Sequence, residues 1–193
     1  VLIIFAGLPA SGKSTIARAI ARETGAVWIR IDSIEQALRT SHAPVEPVAD
    51  EGYVAGYAVA ADNLRLGRIV IADSVNPIDI TRDAWRKVAT DAGCESIDVE
   101  VICSDVEEHK RRVETRSVDI ADLKLPNWQA VLDREYHAWD QDRIVIDTAG
   151  RKIDACVEEL QSRIEGATGR ARLLTSPRER WKSLSFSQPE QQS

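Results

Sequence analysis

Residues 1–21 read VLIIFAGLPASGKSTIARAIA. Six apolar residues run into a turn that carries Gly7 and Pro9, and a lysine, two hydroxyls and an amphipathic pattern follow. The apolar run predicts a buried strand. Ile16, Ala19 and Ile20 recur at helical spacing with Arg18 and Arg22 turned outward, which predicts a helix starting at Lys13. Between the two, Gly7-Leu8-Pro9-Ala10-Ser11-Gly12-Lys13-Ser14 fits G-x-x-x-x-G-K-[ST] in the strand-to-helix setting that its mechanism requires. Gly7 and Gly12 allow backbone shapes that turn amide N–H groups inward, and the positive end of the helix completes a pocket for an anion. Gly7, Pro9, Ala10, Ser11, Gly12, Lys13, Ser14 and Thr15 are therefore the expected nucleotide-binding residues. Lys13 is expected to reach the β- and γ-phosphates of ATP, Ser14 to hold Mg²⁺ and Thr15 to contact the α-phosphate.

Apolar runs alternate with helical patterns along the rest of the chain. Strands are expected over 1–6, 26–31, 68–72, 97–103 and 143–146, and helices over 13–23, 33–40, 52–65, 78–92 and 153–164. Near-continuous apolar strands alternating with helices imply a parallel sheet covered on both faces. The expectation is an α/β chain with a five-stranded parallel sheet in three α/β/α layers, the P-loop NTPase fold. Residues 1–165 form the expected domain. A charged insertion over 104–139 reads as a helical lid, and 166–193, rich in Gly, Ser, Pro, Gln and Arg, as a polar flexible tail.

Acidic residues at strand ends extend the site. Asp73 closes the third strand, where it either orients Mg²⁺ through water or caps the next helix. Asp32 closes the second; it either caps a helix or faces the γ-phosphate and takes or aligns the proton of an acceptor hydroxyl. Asp32, Gln36 and Arg39 share one helical face and are expected to meet the acceptor, with Asn76 and with Arg82, which is either an acceptor contact or an ordinary exposed helix residue. In the lid, Arg112 and Arg116 lie at i, i+4. Either could meet the charge of a transferring phosphoryl group as the lid closes and excludes water, or belong to a salt-bridged exposed helix. Trp128 is a flat wall for an acceptor or a lid anchor. Thr148 and Ala149, in the turn after the fifth strand, are candidates for the adenine border. His42, His109 and His137 have no ligand spacing and receive no role.

Composition bounds the partners. A net charge of −6 argues against a broad nucleic-acid surface. Cys94, Cys103 and Cys156 are far apart, which suggests reduced thiols rather than a disulfide framework or zinc site. The opening apolar run is too short for a membrane span and lacks the basic start of a signal peptide, so a cytoplasmic location is expected. Monomer and dimer remain equally open.

Together, GLPASGKST, the Asp32 strand end, IVIADSVN and CSDVEEHKRRVETR make residues 1–165 resemble the small P-loop kinases. That group includes gluconate kinases, polynucleotide 5′-hydroxyl kinases, chloramphenicol phosphotransferases and adenylylsulfate kinases. The resemblance implies an ATP- and Mg²⁺-dependent kinase acting on the hydroxyl of a small molecule. Its catalytic residues would be Lys13, Asp32 and Arg112 or Arg116, and its metal would lie at Ser14 and Asp73. Members that read an acceptor phosphate tend to carry Asp-x-x-Arg after the second strand. Glu35 stands where that arginine is expected, which argues against recognition of a nucleic-acid 5′ end. The alternatives are a nucleotide switch or ATP hydrolase without an acceptor, and a nucleic-acid 5′-hydroxyl kinase.

Overall fold

The computed structural model describes residues 1–41, 49–117 and 119–168. Five strands, β1 (Leu2–Ala6), β2 (Val27–Arg30), β3 (Val70–Asp73), β4 (Ser96–Ile102) and β5 (Ile144–Asp147), form one all-parallel sheet in the order β2-β3-β1-β4-β5. The helices are α1 (Lys13–Thr24), α2 (Ile31–Arg39), α3 (Glu51–Arg65), α4 (Asp79–Asp91), α5 (Val106–Thr115), α6 (Trp128–Leu132) and α7 (Ile153–Thr168). Every residue of the central β1 is buried, because side chains alternate between two covered faces. Ile3 and Phe5 meet Ile16 and Ile20 of α1 and Leu160 and Ile164 of α7 on one face. Leu2 and Ile4 meet Ala60 and Leu64 of α3 and Trp85 and Ala89 of α4 on the other. These two cores make the three layers. Trp85 is fully buried, with the ring of Tyr57 edge-on 4.6 Å from it, a pairing worth about 0.5–1.5 kcal/mol beyond its area.

Three expectations change. Asp32 does not end a strand: α2 begins at Ile31, directly after β2, with Arg30 at the cap position. The Asp32 carboxylate thus lies in the first helical turn, where the helix dipole favours it. α7 continues through Gly166 to Thr168, so the tail does not start at 166; residues 169–193 lie outside the described residues, as does His42. Nor is β4 wholly apolar. It carries Asp98 and Glu100, both buried and both paired, Asp98 with Arg86 at 2.8 Å and Glu100 with Arg143 at 2.6 Å.

The segment after α6 is tied back to the sheet by Arg82 of α4, 1% exposed. Its guanidinium donates to the carbonyls of Asn76 (3.0 Å), Pro77 (3.1 Å), His137 (3.0 Å) and Ala138 (3.4 Å). It also stacks 4.0 Å over the ring of Trp139. Such a buried cation, enclosed by carbonyls and a ring face, is a structural clamp.

Candidate active site

The Gly7–Ser14 loop joins the C-terminal end of the central strand β1 to α1, so the crevice beyond the sheet opens over it. At Gly7, φ is 142°, and a Cβ would collide with the Val101 carbonyl oxygen, so no larger residue fits. Ala10 takes a left-handed φ of 65°, a conformation costing a non-glycine residue about 1–2 kcal/mol that the surroundings must hold in place. The loop lines a cleft of ≈ 1460 Å³ together with α2, the 116–126 segment and the turn after β5. That exceeds the roughly 300–1,000 Å³ typical of a site for one small molecule, leaving room for a donor and an acceptor.

At the foot of α1, the Ser14 hydroxyl donates to Asp73 Oδ1 at 3.0 Å, and the indole N–H of Trp28 donates to Asp73 Oδ2 at 3.2 Å. Asp73 is 1% exposed. Burial raises its pKa, the Lys13 ammonium and the Ser14 hydrogen bond pull it back, and the nearby Asp32 carboxylate pushes it up again. A carboxylate starved of solvation beside a hydroxyl is a donor set that fits a divalent cation. Among the described residues no group of three or more His, Cys, Asp or Glu gathers to hold a metal. Two protein oxygens with waters and substrate phosphates match the way Mg²⁺ is held in phosphoryl-transfer sites. Trp28 was not legible as part of this site: its place follows from the parallel register of β2 and β3, in which Arg30 lies opposite Asp73.

Across the cleft, Asp32, Glu35, Gln36 and Arg39 of α2 line the wall, as their shared helical face predicts for the Asp, Gln and Arg. Arg39 pairs with Glu35 at 3.2 Å. Burial raises the pKa of Glu35, against the hydrogen bond and charge of Arg39. Tyr53, Ser74 and Thr81, none of them singled out in the sequence, also line this wall.

The two lid arginines part company. Arg112 donates to the Thr148 hydroxyl (2.7 Å), the Thr148 carbonyl (2.9 Å) and Glu108 (2.6 Å), so α5 is fastened to the turn after β5. Arg116 lines the cleft with its Nε unpartnered. Burial lowers its pKa, and the charge of Asp32 across the cleft opposes that shift.

The assignments of Asn76, Arg82, Thr148 and Ala149 need correction, and the two alternatives for Trp128 are decided. Asn76 does not face an acceptor; its buried amide donates to the Phe5 carbonyl at 2.8 Å and holds the turn after β3. Arg82 is spent on the clamp and does not line the cleft. Trp128 packs edge-on against His109 at 5.3 Å, which makes it a lid anchor rather than a wall of the cleft. Thr148 is fully buried beneath the loop, its hydroxyl 2.8 Å from the Ser11 carbonyl, and neither it nor Ala149 lines the cleft. On that side the cleft is bounded instead by Arg151 and Ile153. Gly7 and Ser11 also sit beneath the cleft surface, while Pro9, Ala10, Gly12, Lys13, Ser14 and Thr15 line it.

Solved structures share this architecture. Chaetomium thermophilum Kti12 in complex with ADP-AlF3 is 23% identical, with a TM-score of 0.64 over 86% of this chain and 98% of that one. The Mycobacterium tuberculosis APS kinase CysC in complex with AMPPNP and APS is 18% identical, with a TM-score of 0.61 over 85% and 96%. A gluconokinase from Sinorhizobium meliloti 1021 is 19% identical, with a TM-score of 0.57 over 83% and 89%. At these identities the likeness establishes the fold alone. Comparison with curated proteins finds no match. The profile of the AAA domain family matches residues 2–135, more than half of the chain, from β1 to just beyond α6, and the protein belongs to that family.

Proposed function

We propose that the protein is an ATP- and Mg²⁺-dependent kinase that transfers the γ-phosphoryl group to a hydroxyl of a small molecule. One observation carries this reading. The Ser14–Asp73 pair at the foot of α1, Asp32 of α2 and Arg116 after α5 line one cleft, which has room for two substrates. Bound Mg²⁺ would be held by Ser14 and Asp73 and would neutralise charge on the donor phosphates. Lys13, buried at the start of α1, supplies a fixed positive charge to the same phosphates. Asp32 accepts a hydrogen bond from the acceptor hydroxyl and takes its proton as the new P–O bond forms. Arg116 offers its guanidinium, whose Nε has no partner, to the oxygens of the transferring group, while Arg112 keeps α5 docked so that Arg116 stays over the cleft. Glu35 and Arg39 satisfy each other, leaving no free cation on α2 for an acceptor phosphate; this favours an uncharged hydroxyl compound over a nucleic-acid end.

The test is ATP consumption by the purified protein with Mg²⁺ across sugars, nucleosides, aminoglycosides and other small alcohols. An acceptor-dependent increase that disappears in Lys13→Ala supports the proposal. Slow hydrolysis that no acceptor changes would assign the protein to the hydrolases instead.

A further inference from the structure

We infer that His109 is a positioning residue for the phosphate cradle: it fixes the Pro9–Ala10 peptide so that the Ala10 N–H faces the cleft. The inference rests on the reading of this loop as the seat of the donor phosphates.

His109 sits on α5 and is 7% exposed, with its Nε2 2.8 Å from the Pro9 carbonyl oxygen. A carbonyl can only accept, so Nε2 carries a proton and donates it. Pro9 and Ala10 line the cleft and His109 does not, so this carbonyl points away from the cleft, behind the loop. In a planar trans peptide the C=O and N–H point in opposite directions. The Ala10 N–H therefore points toward the cleft, and among the described residues it makes no hydrogen bond. Flipping this peptide would turn the Pro9 oxygen toward the phosphates and replace attraction with repulsion. The left-handed φ of Ala10 shows that the loop does not hold this orientation by its own preference. Two peptides further on, the Thr148 hydroxyl lies 2.8 Å from the Ser11 carbonyl, so a second carbonyl of the loop is engaged from behind.

The same helix face carries a second contact. His109 and Arg112 of α5 lie at i and i+3 and address Pro9 and Thr148, and Arg116, extended at the cap after α5 rather than on its face, lines the cleft. Trp128 of α6 packs against the His109 ring and limits its rotation. Docking of the lid helix is thereby coupled to the geometry of the cradle, and phosphate affinity reports on both.

The experiment titrates ADP, pyrophosphate and adenosine into the wild-type protein, His109→Leu and His109→Gln, with Tm measured for each. His109→Leu is expected to weaken ADP and pyrophosphate by about 10- to 100-fold, the scale of one hydrogen bond to a charged group, and to leave adenosine unchanged. His109→Gln, which keeps an N–H within reach of Pro9, is expected to recover most of the loss. Unchanged pyrophosphate binding in His109→Leu, or an equal loss for adenosine, would overturn the role of His109 alone. Failure of the wild-type protein to bind either phosphate compound would overturn the kinase reading with it. Imidazole ¹⁵N spectra of the wild-type protein give a check that needs no variant: a protonated Nε2 supports the assignment and a bare Nε2 sinks it.

Discussion

Asp32 and Asp73 are both carboxylates at the C-terminal edge of the sheet, and their surroundings divide their tasks. Asp73 is enclosed, hydrogen-bonded by Ser14 and Trp28 and near the Lys13 charge; Asp32 is half-buried on the open wall. Asp32→Asn is expected to lower turnover by about 10²- to 10⁴-fold with ATP affinity within a few-fold of wild type, checked by steady-state kinetics and calorimetry. Asp73→Asn should remove Mg²⁺-dependent activity and yet raise Tm at pH 8. The folded pKa of Asp73 lies above its unfolded value, so the folded state carries a cost once the pH exceeds that raised value. As the pH falls through it, the wild-type carboxyl takes up its proton and the Tm advantage of the variant should shrink. Thermal melts over a pH series from 8 downward decide this, and a variant less stable than wild type throughout would contradict the desolvation argument.

Helix α4 and the segment after α6 depend on one another through Arg82 and His137. Arg82→Ala leaves the carbonyls of Asn76, His137 and Ala138 without this donor and Pro77 with the His137 N–H alone, and denaturant unfolding should show a loss of about 3 kcal/mol. His137 makes contacts at 2.9 Å with Glu135 and 3.0 Å with Asp79, and the hydrogen bonds to these two carboxylates raise its pKa. A histidine whose folded pKa is raised contributes stability below its unfolded value, and that contribution vanishes as the pH climbs through the raised one. His137→Ala should accordingly lower Tm more at pH 5.5 than at pH 9; an equal drop at both would exclude the ion-pair role. The histidine at the other end of the insertion, His109, was given no role from sequence because its partner is a backbone oxygen 100 residues earlier. No side-chain spacing could signal that contact.

At the scale of the whole molecule, the cleft is lined by the Gly7–Ser14 loop and α1, by α2, by the turn after β3 and by residues of the 104–139 insertion. Ligand that fills it binds only the folded state. At 100 times its Kd, ATP with Mg²⁺ should add about 2.7 kcal/mol and lift Tm by roughly 5–10 °C for a chain of this length. Lys13→Ala should fold but lose that shift, and differential scanning fluorimetry measures both. Among the described residues no helix is long and apolar enough to cross a membrane.

The central strand, the glycine-bearing loop, the helix after it and the parallel alternation were legible because each is written in contiguous residues under strong local rules. Gly7 is required by a backbone angle and a neighbouring carbonyl, and Ser14 and Asp73 stand at fixed offsets from apolar strands. The fates of Asn76, Arg82, Trp128 and Thr148 were not legible. A polar or aromatic side chain at a turn or on a helix can face the cleft or the packing behind it with the same local sequence. Only the register of β2 against β3, the docking of α5 on the loop and the return of residues 136–139 to α4 decide which. Local chemistry named the anion pocket; long-range packing chose which side chains reach it, because hydrogen bonds between residues 36 to 137 positions apart form only once the sheet and lid have assembled.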